Sequence, residues 1–250
     1  MRLEPAVSTR PTSIRPPPID QRPRNKLLAC LPRDDFQRLQ PHLRTIPTQV
    51  QQVFHHGNEP IRDVFFLNGG VASMTIRMKD GTMVEVATVG SEGLIGIGAL
   101  FGGGVANGES MMQVPDTNAE VLPAEILRRE LARGGAFSDG VQRYSRGLHM
   151  LMMQSTACMA LHSVHERGCR WLLMTHDRVQ RDHFHLSHEF LAMMLGSTRP
   201  TVTVVAGSLQ KAGLIEYTHG RITIVNRQGL EAASCECYAT VKAYFDCLGL

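Results

Sequence analysis

The segment from His185 to Ile215 constrains the fold more than any other part of the chain, because its pattern fits two short amphipathic helices meeting at a tight turn. Leu191, Met194 and Leu195 recur at i, i+3 and i+4, one apolar stripe. Gly196 follows, a residue that lets the backbone turn sharply. Ser197 and Thr198 offer hydroxyls to the free N–H groups of the next helix, and Pro200 falls in its first turn, where a missing N–H costs nothing. Val202, Val205, Ala206 and Leu209 form a second stripe, and Gly213 stops the helix. Packing the two stripes together leaves Arg199, Pro200, Thr203 and Val204 facing outward.

A hairpin comes next. Ile215, Glu216 and Tyr217 lead into Thr218-His219-Gly220, and Arg221 to Val225 returns with alternating β-branched residues. Two helices and such a hairpin make a winged helix-turn-helix, the layout that sets a helix into the DNA major groove. A plain helical hairpin would share the paired stripes. Cap, turn, glycine stop and wing agreeing over about 40 residues favour the winged motif.

The chain of 250 residues has room for two domains, each with its own core. Its formal charge of +3 supplies no global basic field, so any nucleic-acid contact depends on local placement of Arg and Lys. No apolar run approaches the roughly 18 residues of a membrane span. The N-terminus lacks the apolar stretch of a secretory signal, so a cytoplasmic location is expected. Six scattered cysteines do not argue for a disulfide scaffold.

Residues 1–25, rich in Pro and Arg, read as a flexible tail with nothing to bury. Asn25 to Leu43 predicts short helices broken at Pro32 and stopped at Pro41. Between residues 46 and 122 the pattern changes. Val64–Leu67, Val71–Ile76, Met83–Val89, Ser110–Val114 and Ala119–Leu122 predict strands, with glycine-bearing turns between them. Even spacing of this kind indicates a small antiparallel barrel or roll. From Ser138 a long helix is expected, with Val141, Tyr144, Leu148, Leu151, Ser155, Cys158, His162 and His165 as one seam. Met150, Met152, Met153 and Met159 widen its apolar surface, which implies a partner, most simply a second copy. A helix buried inside one subunit would show the same seam. Arg167 to Arg178, with Trp171, Leu172 and Leu173 as its core, leads into the two-helix segment.

In this order the parts resemble the Crp/Fnr family of bacterial transcription regulators. The resemblance spans about residues 26–250. It is carried by Leu191 to Val202 with Leu209 and Gly213–Ile215, by Val89-Gly90-Ser91-Glu92-Gly93-Leu94-Ile95-Gly96, and by Gly220–Ile224. The implied α+β fold has an N-terminal β-roll of the cyclic-nucleotide-binding-like jelly-roll type at 26–137 and a dimerisation helix at 138–165. A C-terminal winged helix-turn-helix fills 166–250. The implied function is sequence-specific regulation of transcription by a homodimer on a palindromic operator in double-stranded DNA, with RNA polymerase as a further partner.

Matched position by position, Arg199 resembles the family arginine that reads guanine, its fork suiting the O6/N7 pair. Thr198 and Thr201 match backbone-holding positions. Ser197, Pro200, Thr203, Val204, Lys211, His219 and Arg221 complete the expected DNA-contact set. Many members carry Glu where this chain has Pro200 and Arg where it has Val204, so a family operator cannot be borrowed. In the roll, Gly96, Ile97, Gly98 and Ala99 mark the expected effector pocket. Ile97 stands where cyclic-nucleotide-binding relatives use Glu on the ribose, and no Arg lies between Arg77 and Arg128 to clamp a phosphate. A buried phosphate without a cation is costly, so cyclic AMP bound in the usual way is not expected. Backbone N–H groups around Gly96, Gly98 and Gly102-Gly103-Gly104 offer at best an anion nest.

No cofactor is identified and the effector is unknown. The family's N-terminal iron–sulfur cluster needs several closely spaced thiolates, and Cys30 stands alone there. No His or Cys stands out as a haem ligand. Six histidines between His162 and His188 form no metal-binding motif, and Cys235-x-Cys237, on a regular helix or strand, would aim its sulfurs apart. No metal site is therefore expected. An enzyme lacks support, since no nucleophile elbow, phosphate loop or paired carboxylates occur. The remaining alternative is a ligand-binding or protein-interaction module with weakened specific DNA binding, because of Pro200 and Val204.

Overall fold

Short strands punctuated by turns, each burying one face, fold into two antiparallel sheets. The computed structural model describes residues 22–101 and 104–250. In one sheet β2 (Val53–His55), β6 (Glu109–Pro115), β4 (Gly70–Arg77) and β5 (Met83–Val89) pair in that order. In the other, β1 (Arg44–Pro47), β7 (Asn118–Pro123) and β3 (Asp63–Leu67) pair in that order. Val64, Phe66, Val71, Val89, Met112 and Leu122 are fully buried in the core they share. Each such side chain contributes roughly 1.5–3 kcal/mol over its exposed state. The five strands expected from sequence are present to within about a residue; β1 and β2 are additions.

At the entrance to the roll stand α1 (Lys26–Ala29) and α2 (Arg33–Leu39), the short helices expected around Pro32. The tail assignment needs correction at its edge. Asn25 is fully buried; it caps α1 and donates from Nδ2 to the carbonyls of Leu67 (3.1 Å) and Gly93 (2.8 Å). Arg22 donates to the carbonyls of Ala29 and Leu31 and lies over the Phe36 ring. Residues 22–25 thus belong to the roll. Residues 1–21, the bulk of the expected tail, and Gly102-Gly103 of the expected nest lie outside the described residues.

After α3 (Ala124–Arg133) the chain enters α4 (Ala136–Leu161), 26 residues long, and then α5 (Val164–Val179). The seam foreseen for a partner packs inside the subunit instead. Val141, Tyr144, Leu148, Leu151, Ser155 and Cys158 are all buried. Heptad alternation marks a face to be covered, not who covers it. The seam also ends sooner than expected. His162 is the C-cap of α4, and Ser163 with Glu166 forms a capping box that starts α5, placing His165 on a different helix. What stays exposed on α4 is another stripe, containing Met152, Met153 and Met159 and ending at Leu161.

The last third holds β8 (His183–His185), α6 (His188–Met194), α7 (Arg199–Lys211), β9 (Ile215–Thr218) and β10 (Arg221–Ile224), closed by α8 (Arg227–Ala232) and α9 (Cys237–Cys247). The strand β8, unforeseen, pairs with β10, so the wing is a three-stranded sheet in the order β8-β10-β9.

The two halves meet at the Gly90-Ser91-Glu92-Gly93 turn that follows β5. Glu92 and Arg178 of α5 are both nearly sealed from solvent, and the guanidinium donates to Glu92 Oε1 from Nη2 (2.8 Å) and Nε (3.0 Å). Gly90 N–H adds a third donor at 3.0 Å. Burial alone would push the Glu92 carboxyl upward; the charge and hydrogen bonds of Arg178 outweigh it and hold it below its usual range. Tyr144 of α4 lies so close over Gly93 that an added Cβ would fall 2.0 Å from its ring. Only glycine fits there. Because one partner of a buried ion pair left alone is an uncompensated charge, Glu92→Gln or Arg178→Met should each lower unfolding stability by about 3–5 kcal/mol. Denaturant titration checks this, and the double variant should recover a large part of the loss.

Candidate nucleic-acid interface and sensor pocket

Both helices of the turn are started and stopped by local hydrogen bonds that the sequence dictates. Ser187 Oγ caps α6 by accepting from Phe190 N–H at 3.1 Å. Gly196, at φ +55°, ends it: its N–H reaches Met193 O (3.2 Å) and Ser197 N–H reaches Ala192 O (2.9 Å). Thr198 caps α7, accepting from Thr201 N–H at 3.4 Å, and Pro200 occupies its first turn. At the other end Gly213 N–H bonds Gln210 O and Leu214 N–H bonds Leu209 O, both at 3.0 Å. Val202, Ala206 and Leu209 are buried beneath α7 and Leu191 and Met194 beneath α6, as the two stripes require.

The opposite side of α7 is open. Thr198, Arg199, Pro200, Thr201, Thr203, Val204 and Lys211 are exposed, Val204 to 73%, and Ser197 is half-buried. Among the described residues no hydrogen bond or ion pair engages the Arg199 guanidinium. His219, in the two-residue turn His219-Gly220, and Arg221, the residue after it, are exposed at the wing. The structure therefore brings the expected contact residues onto one helix and one adjacent hairpin. It also separates their roles. The Thr203 hydroxyl donates to Arg199 O at 2.9 Å and meets His188 Nδ1 at 3.0 Å, so it is committed inside the motif. Since the hydroxyl has one hydrogen, Nδ1 of His188 is the donor in the second bond. Burial and the charge of Arg199 both lower the His188 pKa, which keeps that ring neutral. It stacks on Tyr217 of the wing at 4.1 Å. The six-histidine grouping gives His188 no such role; its place one residue after the Ser187 cap is the available signal.

The motif is seated on the roll. Gly196 lies over Met159 of α4 and Val84 of β5. Gln113 of β6 contacts Met194 Sδ and donates to Glu85 Oε2 at 3.0 Å. Ser73 donates to the same carboxylate and Trp171 Nε1 to its other oxygen at 3.1 Å. Glu85 thus ties β4, β5 and β6 to α5 at a level just beneath α6. Desolvation pushes its pKa up to about 7, against the opposing pull of Ser73, Arg170 and Trp171.

A cavity of about 280 Å³ opens between the roll and α4. Gly96, Ile97 and Gly98 line it, with Met74, Ile76, Phe101, Leu148 and Met152 supplying most of the apolar wall. Ala99, expected beside them, is fully buried in the core and does not line it. Among the described residues the lining contains no Arg or Lys. Its one carboxylate, Glu109, is paired with Arg77 at 3.3 Å. The wall suits an apolar ligand, and it offers a phosphate no guanidinium or ammonium among the described residues.

The six histidines disperse. His176 pairs with Asp182 at 2.9 Å and accepts from Arg227, His188 serves α7, and His183 and His185 are exposed on β8. His162 meets Cys237 Sγ at 3.6 Å and Glu236 at 3.1 Å. The expected divergence of Cys235 and Cys237 does not occur either, because Cys235 sits in the connection before α9 and Cys237 is its first residue. No regular alternation applies across that junction.

Residues 166–233 match the Crp-like helix-turn-helix domain. The fold is shared with solved structures of Crp/Fnr-type regulators. A Crp/Fnr-family transcriptional regulator from Eubacterium rectale is 18% identical with a TM-score of 0.65, covering 84% of this chain and 98% of its own. FixK2 from Bradyrhizobium japonicum is 16% identical with a TM-score of 0.64, covering 77% and 98%. TTHB099, a CRP-family transcriptional regulator from Thermus thermophilus, is 22% identical with a TM-score of 0.63, covering 76% and 96%. No curated protein sequence matches the chain. Among the described residues no helix is long and apolar enough to cross a membrane. The resemblance drawn from the sequence holds, in the DNA-binding domain and in the overall fold.

The raised Glu85 carboxyl gives stability a pH dependence of definite sign. Folded Glu85 keeps its proton up to about pH 7, whereas unfolded it releases it near 4.5, so its contribution is full below that lower value and is lost as pH rises through 7. Glu85→Gln, which cannot ionise, should therefore be more stable than the parent at pH 8, by a few degrees in unfolding midpoint. The advantage should disappear by pH 4.5. Thermal unfolding at the two pH values checks it.

Proposed function

We propose that this Crp/Fnr-type regulator binds an inverted-repeat operator as a homodimer, placing α7 of each copy in successive major grooves. The observation that carries this reading is the outward face of α7, where Arg199 is exposed and unengaged beside Thr198, Pro200, Thr201 and Val204. The Arg199 fork suits the O6/N7 pair of guanine, and Val204 suits a thymine methyl. Thr198, Thr201, Lys211, His219 and Arg221, all exposed, would suit the phosphate backbone, which sets register without reading sequence. The second copy docks along the exposed stripe of α4, where Met153 and Leu161 are 62% and 79% exposed. Contact with RNA polymerase belongs to the same reading.

The signal enters through the cavity between roll and α4. Its occupant is a small, largely apolar molecule, since among the described residues the lining offers no guanidinium or ammonium. Met152 belongs both to that lining and to the exposed stripe of α4, so a ligand seated there bears on the dimer face directly. The alternative, a module that has lost specific DNA recognition, has Pro200 and Val204 in its favour.

Selection of bound duplexes from random DNA decides between them; an inverted repeat with half-site centres about one helical turn apart is expected. Arg199→Ala should cost about 1–3 kcal/mol per half-site and relax preference at one base pair. Unchanged affinity and preference in that variant would remove Arg199 from the reading role. Met153→Asp should shift the sedimenting species toward monomer and weaken operator binding with it, while leaving the far-ultraviolet circular dichroism of the subunit unchanged.

A further inference from the structure

Four side chains that the DNA-binding reading leaves unused converge behind the hinge between α4 and α5. Cys158 and His162 sit one turn apart at the C-terminal end of α4. Cys235 and Cys237 flank Glu236 at the junction of α8 and α9. Their three sulfurs and one ring nitrogen all lie within 4.8 Å of one another. Cys158 Sγ is 3.5 Å from Cys235 Sγ, and Cys237 Sγ is 3.6 Å from His162 Nδ1. Around a tetrahedral zinc ion with its usual bond lengths, neighbouring sulfurs stand about 3.8 Å apart, and sulfur and nitrogen about 3.6 Å. The spacing matches one ion. An iron–sulfur cluster, with several irons and sulfides between its ligands, would hold the thiolates farther apart.

Three further observations point the same way. The three cysteines are sealed from solvent and form a small buried group of their own, separate from the main core. A concentration of thiols is not something apolar packing requires. His162 turns Nδ1 toward the sulfurs while Nε2 meets the Glu236 carboxylate at 3.1 Å, the outer partner that fixes ring orientation and tautomer in metal sites. Gln154 Nε2 donates to Cys237 Sγ at 3.0 Å, a contact that favours sulfur in its thiolate form.

We propose that Cys158, His162, Cys235 and Cys237 form a structural zinc(II) site. Three soft sulfurs and one imidazole select zinc over magnesium, calcium or manganese, and four protein ligands leave no open position for catalysis. On binding, the three thiols release their protons to solvent and His162 coordinates as the neutral ring, with no change of oxidation state. The resulting site carries one net negative charge. Arg170, 3.5 Å from Ser155 one turn before Cys158, supplies a nearby cation. The ion would staple the end of α4 to the segment joining α8 and α9, across the point where the chain turns into α5. This inference is independent of what α7 binds.

Cobalt(II) titration of the reduced, chelator-treated full chain tests it without any variant. Uptake of one equivalent is expected, with intense visible bands of tetrahedral geometry and sulfur-to-cobalt charge transfer, bleached by zinc. Cys237→Ser and His162→Ala should each lose that spectrum, and Cys247→Ser should keep it. Absence of the tetrahedral spectrum in the parent chain overturns the proposal. So does a spectrum that survives Cys237→Ser, or a Cys158–Cys235 disulfide whose reduction restores no metal uptake.

Discussion

One buried ion pair sets the relation between the two halves of this chain. Glu92 leaves the roll at the end of β5 and meets Arg178 on α5, and neither charge has water to fall back on. Such a pair adds little to net stability compared with an apolar replacement, but it is intolerant of misplacement. A shift of the helical half by even one side chain would strand both charges. The glycines on either side exist for the same reason: Gly90 packs against the Arg178 side chain and Gly93 beneath the Tyr144 ring, so the turn can press flat against α4 and α5. Lys26 N–H closes the arrangement by bonding Ser91 O at 2.7 Å, which brings the entrance helices to the same spot.

From that fixed point the DNA-binding motif is positioned by a second, softer set of contacts. Glu85, Gln113 and Met194 link the sheet to α6, and Gly196 rests over Met159 and Val84. Here the polar group is an acid whose charge is disfavoured near neutral pH, held by neutral donors. The two contacts differ in kind. The first is strong and registers the domains, whereas the second has a protonation state that conditions can change. Met159, which touches this set, lies on the exposed stripe of α4, and Met152 of the same stripe lines the cavity.

Much of this was legible from residue order alone. Caps, glycine stops and the wing turn are local chemistry, so α6, α7, β9 and β10 could be placed from sequence, and Arg199 with them. The roll strands were legible for a similar reason, since each buries alternate residues between turns. What escaped depended on non-local packing. The strand β8 is three residues of His-Phe-His whose pairing with β10 gives no periodic signal. Asn25 looks like the end of a Pro/Arg-rich tail until the carbonyls of Leu67 and Gly93 are brought to it. Along α4 the seam holds from Val141 to Cys158 and packs inside the same subunit, while Met152, Met153 and Met159 face out.

The cysteines show most sharply how far spacing can mislead. Cys-x-Cys on a helix or strand points its sulfurs apart, and that geometry argues against a shared ion. The pair here straddles the boundary between a loop and α9, where the backbone direction changes between one residue and the next. The other two ligands come from more than 70 residues earlier, at the one place where α4 must end so that α5 can turn toward Glu92. The same break that ends the helical seam at His162 frees that ring to reach the thiols. Ending the helix and assembling the ligand cluster are therefore one structural event, set by the Ser163–Glu166 box that starts α5. A sequence pattern that ran the helix through His165 had to miss both.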